Sequence, residues 1–106
     1  MQSLLALFFY LLAINIVALG SSSVTYVLAS LFGIGVEYNP IMRFVFSKVG
    51  LTNGLIIKHI YLTIIATIIF YLAKKYNVDW ILWIFFTMVT IDTVICFCAL
   101  LSLYAN

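Results

Sequence analysis

The sequence predicts an all-α integral membrane protein: a bundle of three transmembrane helices plus a short helix after Pro40. Of the 106 residues, 67% are hydrophobic and only 8% are charged. A soluble domain has about 45–50% apolar and about 25% charged residues. A soluble core of this size cannot bury so much apolar surface, so the solvent around the chain is lipid. Backbone groups in lipid must be satisfied within each segment, which makes the spanning segments helices within a single domain, residues 1–106.

Three long apolar stretches form the predicted spans, at about residues 3–33, 52–75 and 80–104. The first would be about 46 Å long at 1.5 Å per residue, against a hydrocarbon core of about 30 Å. That helix must therefore tilt, bend or project beyond the bilayer. Aromatic residues at both ends of the third span, Trp80 and Tyr104, fit interfacial anchoring.

The segment between the first two spans combines glycine, proline, a carboxylate, an amide and a guanidinium. Gly33 and Gly35 permit the chain to turn. Asn39 is suited to the N-cap of a helix and Pro40 to its first position, which predicts a short helix over residues 40–49. This helix either lies at the membrane surface or forms a packed connecting turn.

Polar side chains at membrane depth are the candidate functional residues: Asp92, Ser21, Ser22, Thr25 and Thr63. Ser22, Thr63 and Asp92 lie about 16–18 Å from the same membrane face at 1.5 Å per residue, and so in one layer. A buried carboxylate must be paired or protonated. Asp92 is therefore either the centre of a proton or cation site, or a hydrogen-bonded tie between helices. The tie is the simpler interpretation, because one carboxylate among hydroxyls is a weak signal for an ion pathway.

Lys58 also lies within a predicted span, about 9 Å from its start. We predict an ion pair between Glu37 and Lys58, with Glu37 folding down from the connecting segment. Two alternatives stay open: Lys58 snorkels to the surface, or it reaches towards Asp92. His59 is the only histidine in the chain, which excludes bis-histidine haem ligation within one copy, and we interpret it as a helix-interface residue.

Several functions are disfavoured by what the sequence lacks. The net charge of +2 and the absence of a basic run interleaved with aromatics argue against nucleic acid as a partner. The sequence has no glycine-rich phosphate loop, metalloprotease helix motif or serine nucleophile elbow. We therefore expect no catalysis, no cofactor and no metal.

One segment carries a family resemblance: Gly33-Ile34-Gly35-Val36-Glu37-Tyr38-Asn39-Pro40-Ile41-Met42. Followed by Lys58 in the next helix, it resembles an uncharacterised family of small bacterial and archaeal membrane proteins, catalogued as a domain of unknown function. That family has a Glu-x-Asn-Pro-Leu-Met-like motif after its first helix. It often carries an aspartate four residues before a first-helix threonine, where this chain has Ser21 and Thr25. The resemblance implies the three-helix architecture and a prokaryotic cell membrane, and it implies no activity.

The function we predict is that of a non-catalytic accessory or structural subunit of a larger membrane complex. Its partners would be the lipid bilayer and other membrane subunits or copies of itself. Small residues on the first helix would permit close helix approach: Ser22, Thr25, Ala29 and Gly33. The alternative is a small oligomeric transporter, or a proton- or cation-conducting component, centred on Asp92.

Overall fold

The chain folds into four helices that account for nearly all of its described residues. A computed structural model describes the backbone of residues 2–33, 35 and 39–105, and the side chains of residues 4–33, 35 and 39–102. The helices are α1 (Gln2–Phe32), α2 (Pro40–Val49), α3 (Leu51–Tyr76) and α4 (Trp80–Ala105). Three of them, α1, α3 and α4, are long and apolar enough to cross a membrane. The predicted fold class is confirmed.

The three long helices form a bundle in which α1 and α4 run in the same direction and α3 runs in the opposite one. Near the start of both parallel helices, the Tyr10 hydroxyl donates to the Leu82 carbonyl at 2.9 Å. Farther along, the Thr93 hydroxyl donates to the Val17 carbonyl at 2.9 Å. We call the membrane face that carries α2 the α2 side, and the face that carries the short connection between α3 and α4 the turn side.

The helix ends follow from residues that tolerate positive φ. Gly33, with φ of 92°, ends α1, and its N–H donates to the Ala29 carbonyl at 2.9 Å. Asn77, with φ of 57°, ends α3 in the left-handed conformation that asparagine adopts more readily than most residues. Both helices thus end at residues for which a positive φ is sterically acceptable.

The start of α2 uses a side-chain cap. The Asn39 side-chain oxygen accepts a hydrogen bond from the Ile41 backbone N–H at 3.0 Å. Pro40 occupies the first helical position, where its missing N–H costs nothing and its ring fixes a helical φ. These two residues set the point at which the connecting segment becomes a helix.

One face of α1 is built from small residues and lies against both other long helices. Its buried residues are Ile14, Ala18, Ser21, Ser22, Val24, Thr25 and Ala29. Gly20 marks a close approach to α4, since a Cβ atom there would lie 3.0 Å from Thr93 Cγ2. Small side chains let helix backbones approach closely in lipid, where packing rather than water exclusion drives association.

An apolar core lies between α1 and α4 towards the turn side. Ile14, Ala18 and Val89 are buried there, and Leu62 and Phe85 pack against them. The outward faces of the long helices instead expose large apolar side chains, such as those of Phe8, Ile64 and Met88. Unlike a soluble bundle, this one is apolar on its outer faces as well as in its core, which suits a hydrocarbon solvent.

The short helix α2 is fixed to α3 through one aromatic ring. Phe46 is only 1% exposed, and its ring covers Gly54 so closely that a Cβ atom there would lie 2.6 Å from Phe46 Cε1. Between the two helices, Gly50 has φ of 91°, a conformation that glycine adopts freely. The absence of a side chain at Gly54 therefore provides the space in which the Phe46 ring packs.

We expect Gly54→Ala to loosen α2. Alanine gains about 1 kcal/mol of helix propensity over glycine, but overpacking against a ring costs about 1–3 kcal/mol. Hydrogen exchange of the α2 amides should accelerate in this variant. Gly35→Ala, where a Cβ atom meets none of the described residues within 4 Å, should leave α2 exchange unchanged. Adding Phe46→Leu to Gly54→Ala should restore protection. Unchanged α2 exchange in Gly54→Ala would show that Phe46 does not fix the helix.

Candidate functional site

A charged cluster joins all three long helices at membrane depth. Ser21 on α1, Lys58 on α3 and Asp92 on α4 meet there, and we call this set the three-helix junction. The Ser21 hydroxyl lies 2.9 Å from Asp92 Oδ2, and Lys58 Nζ lies 3.1 Å from Ser21 Oγ. Lys58 Nζ and Asp92 Oδ2 are 3.9 Å apart. One side chain from each helix therefore contacts the other two.

Ser21 is the bridge within this junction. An ammonium group can only donate and a carboxylate can only accept, so the Ser21 hydroxyl accepts from Lys58 and donates to Asp92. The separation of the two charges is too long for a hydrogen bond between them. Lys58 and Asp92 therefore interact through their charges and through the serine hydroxyl. The Cys96 sulfur lies 3.4 Å from the same hydroxyl oxygen and adds a second α4 contact.

The junction borders a lateral cavity of about 230 Å³ between α3 and α4. Asn39 and Met42, at the start of α2, line the cavity beside Lys58 and Asp92. The Lys58 side chain is 17% exposed and that of Asp92 is 32% exposed. The pair is thus reachable from the side of the bundle that α2 partly covers, and we call this space the α2 cavity.

A second polar set holds α1 to α3. We call Asn15, Ser22, His59 and Thr63 the Asn15 cluster. The Asn15 side-chain amide donates to Thr63 Oγ1 at 3.0 Å and to the Leu11 carbonyl at 2.9 Å. His59 Nδ1 lies 2.9 Å from Asn15 Oδ1, and His59 Nε2 lies 2.9 Å from the Ser22 hydroxyl. The histidine ring therefore spans two turns of α1.

The hydrogen bonds of Asn15 define which nitrogen of His59 carries the proton. The Asn15 atom that faces the Leu11 carbonyl must be the amide nitrogen, because two acceptors would repel each other. The opposite atom is then the acceptor Oδ1, so His59 Nδ1 donates to it. In a neutral ring Nε2 is left as an acceptor, and the Ser22 hydroxyl donates to it.

The Asn15 cluster forms the floor of an open groove of about 840 Å³ along α1 and α3. The walls are mainly apolar and include Leu19, Val27, Ile56, Ile60 and Ile64. The groove lies on a different face of the bundle from the α2 cavity, and we call it the α1–α3 groove. Polar groups at its floor and hydrocarbon at its walls resemble the lining of small-molecule sites.

The predicted intramembrane polar site is divided between these two clusters. Ser21 contacts Asp92 in the three-helix junction. Ser22 and Thr63 instead belong to the Asn15 cluster and bond to His59 and Asn15. Thr25 is buried on α1, one turn beyond Ser21 towards the α2 side. Ser22 lies level with His59, whereas Thr63 lies one turn farther along α3, level with Asn15.

The predicted Glu37–Lys58 ion pair involves a residue outside those that the structure describes. On the described side, Lys58 reaches towards Asp92, the alternative that the sequence left open. Of the predicted turn residues, Gly33 ends α1, and no described residue would lie within 4 Å of a Cβ atom at Gly35. Asn39 caps α2 and lines the α2 cavity.

Sequence reasoning missed two residues of these clusters, Asn15 and Cys96. Asn15 is an amide within an apolar run, seven residues before Ser22, which places both on one face of a helix. That spacing was the available signal. Cys96 follows Asp92 by one helical turn, and packs as a small buried residue.

The described residues provide no group of three or more histidine, cysteine, aspartate or glutamate side chains that could hold a metal ion. No protein-family model matches the chain, and neither do curated proteins or solved structures. The resemblance carried by residues 33–42 and Lys58 therefore stays a prediction from the sequence.

We expect Ser21→Ala to destabilise the bundle by about 1–2 kcal/mol, because the variant removes the hydroxyl shared by a partly exposed cation and a partly exposed anion. The matched control is Ser23→Ala, since the exposed Ser23 hydroxyl bonds only to the Leu19 carbonyl of its own helix. Equilibrium unfolding in mixed detergent micelles measures both. Equal stability losses for the two variants would contradict the bridging role of Ser21.

Nitrogen-15 NMR of the single histidine tests the assigned proton position. We expect Nδ1 to carry the proton and Nε2 to be unprotonated in the folded protein. Ser22→Ala should then shift the Nε2 resonance more than the Nδ1 resonance, since Ser22 bonds to Nε2 alone. A protonated Nε2 beside an unprotonated Nδ1 would contradict the hydrogen-bond directions given above.

Proposed function

We propose that the chain is a non-catalytic integral membrane subunit that packs against a transmembrane helix of a larger membrane complex. The observation that carries the proposal is the lateral exposure of an ion pair at membrane depth. Asp92 is 32% exposed and Lys58 is 17% exposed, and both line the α2 cavity. A charged pair facing hydrocarbon is costly, so a protein surface over the cavity stabilises it better than lipid does.

The interior contacts support a structural role for the polar groups. Within the part of the chain that the structure describes, no buried side-chain nitrogen or oxygen is without a hydrogen-bond partner. The junction and the Asn15 cluster together join α1 to both other long helices. These polar groups therefore hold the helices together by hydrogen bonds.

The apolar core argues against a conduction path through a single copy. Ile14, Ala18 and Val89 lie on the turn side of the junction, with Leu62 and Phe85 packed around them. An ion at Asp92 would have to cross this layer to reach the turn side. The same layer is expected of a bundle whose role is to present a fixed outer surface.

The outer faces supply the surface for a partner. All three spans are mostly unburied within the chain. In the most apolar 18-residue stretch of α1, α3 and α4, only 17%, 11% and 11% of the residues are buried. Large exposed side chains beside the α2 cavity include Tyr61 and Met88. Their apolar area and flexibility suit close packing against another helix in lipid. The assignment to a prokaryotic cell membrane rests on the resemblance of residues 33–42 alone.

Extraction of the protein from its own membrane in mild detergent, followed by native mass spectrometry, tests the proposal. We expect stoichiometric foreign subunits, and cysteine cross-linking from Met88→Cys should reach one of them. Met88 is the probe because it is exposed and lines the α2 cavity. The matched control is Val94→Cys, exposed on the same helix outside that cavity. A monomer that retains only lipid would overturn the proposal.

A second candidate is a small oligomeric proton- or cation-conducting component centred on Asp92. It is favoured by the access that the α2 cavity provides to the Asp92 carboxylate and Lys58. Several copies would have to complete the path that the apolar core closes in one copy. In this candidate, the Asp92 carboxylate at membrane depth would bind and release the proton or cation.

Flux across proteoliposomes distinguishes the two candidates. If the second holds, Asp92→Asn abolishes proton or cation flux while the protein still folds, because the amide does not ionise. Asp79→Asn is the control, since Asp79 pairs with Lys74 at 3.4 Å on the turn side, away from the cavity. We expect the wild type, Asp92→Asn and Asp79→Asn to show equal background flux. Flux lost only in Asp92→Asn would favour the conducting component.

A further inference from the structure

The α1–α3 groove has features of a site for a ligand that enters from the bilayer. Its volume of about 840 Å³ lies within the range of about 300–1,000 Å³ typical of small-molecule sites. It opens along α1 and α3, so a molecule dissolved in the hydrocarbon can reach it without crossing water. The polar floor gives such a molecule a fixed orientation.

The floor offers a hydrogen-bond donor. Thr63 Oγ1 accepts from the Asn15 amide, and the described residues contain no acceptor for the Thr63 hydroxyl proton. Thr67, one turn away, donates instead to the Thr63 backbone carbonyl at 2.8 Å. The Thr63 hydroxyl therefore remains able to donate to a carbonyl oxygen in the groove.

The depth of the floor restricts the chemistry of the ligand. Thr63 lies about 18 Å from the start of α3, near the centre of a hydrocarbon layer about 30 Å thick. A phospholipid headgroup is charged and stays at the membrane surface, because a charge at mid-membrane depth is unfavourable. The polar group that meets Thr63 must therefore be neutral.

We propose that the α1–α3 groove binds a neutral lipophilic carbonyl compound of the quinone class. The ring carbonyl accepts a hydrogen bond from Thr63, and the ring and tail lie against apolar walls such as Ile60 and Leu19. This binding site is separate from the three-helix junction and from the partner surface at the α2 cavity. Binding at this site uses only the Thr63 hydroxyl and the apolar walls, and it involves no charged side chain.

Calorimetric titration of the full chain in phospholipid nanodiscs with decylubiquinone tests the site. We expect saturable binding by the wild type. Thr63→Val, of nearly equal volume, should bind about five- to tenfold more weakly, since one hydrogen bond is lost. Thr63→Ser keeps the hydroxyl and should retain affinity. Thr67→Val is the matched control and should bind like the wild type.

A second variant keeps the test independent of the Asn15 cluster. Ser23 lines the groove, is exposed and bonds only within its own helix, so Ser23→Phe fills the groove without altering the floor. Decylubiquinone affinity should fall more than tenfold in this variant.

Three results would overturn the proposal. The first is equal affinity in Thr63→Val, Ser23→Phe and the wild type. The second is a phospholipid that is retained in native mass spectra and that decylubiquinone does not displace. The third is a dimer that Ser23→Phe disrupts, without any quinone binding.

Discussion

Two opposite charges lie inside the bundle at membrane depth, and their pairing sets how the long helices are rotated. Lys58 and Asp92 lie on different helices, and neither is stable in hydrocarbon alone. Bringing them within 3.9 Å fixes how α3 and α4 are rotated towards each other. Ser21 then fixes α1, because its single hydroxyl must face both charges. The small residues that surround Ser21 on α1 are what allow three helix backbones to approach this point.

That rotation determines what the other faces of the bundle carry. With Ser21 directed at the junction, the neighbouring Ser22 is directed at His59, and the Asn15 cluster becomes the floor of the α1–α3 groove. With Asp92 beside Lys58, the α2 cavity opens on a different face, where α2 is fixed by Phe46. The two proposed binding surfaces are therefore consequences of one internal arrangement, and a change at the junction would alter both.

The sequence predicted the fold well because composition decides it. A chain with 8% charged residues is placed in lipid, and its spans form helices because a helix satisfies its backbone groups within each segment. Two helix ends could also be predicted from local sequence, without knowledge of the packing. They are the end of α1 at Gly33 and the start of α2 at Asn39 and Pro40. Helix rotation could not be predicted in the same way. In lipid both the inner and outer faces are apolar, so hydrophobic periodicity does not reveal which face is inside. Ser22 and Thr63 were therefore predicted beside Asp92, but they bond to His59 and Asn15 instead.

A double-mutant cycle between Lys58→Met and Asp92→Asn, followed by equilibrium unfolding in mixed micelles, measures how strongly the two charges stabilise each other. If the pair fixes the bundle, each single variant removes the attraction between the two side chains and destabilises it. The double variant should then be more stable than the sum of the two losses implies, by about 1–2 kcal/mol. Losses that add within about 0.5 kcal/mol would contradict the account, since independent residues behave in that way.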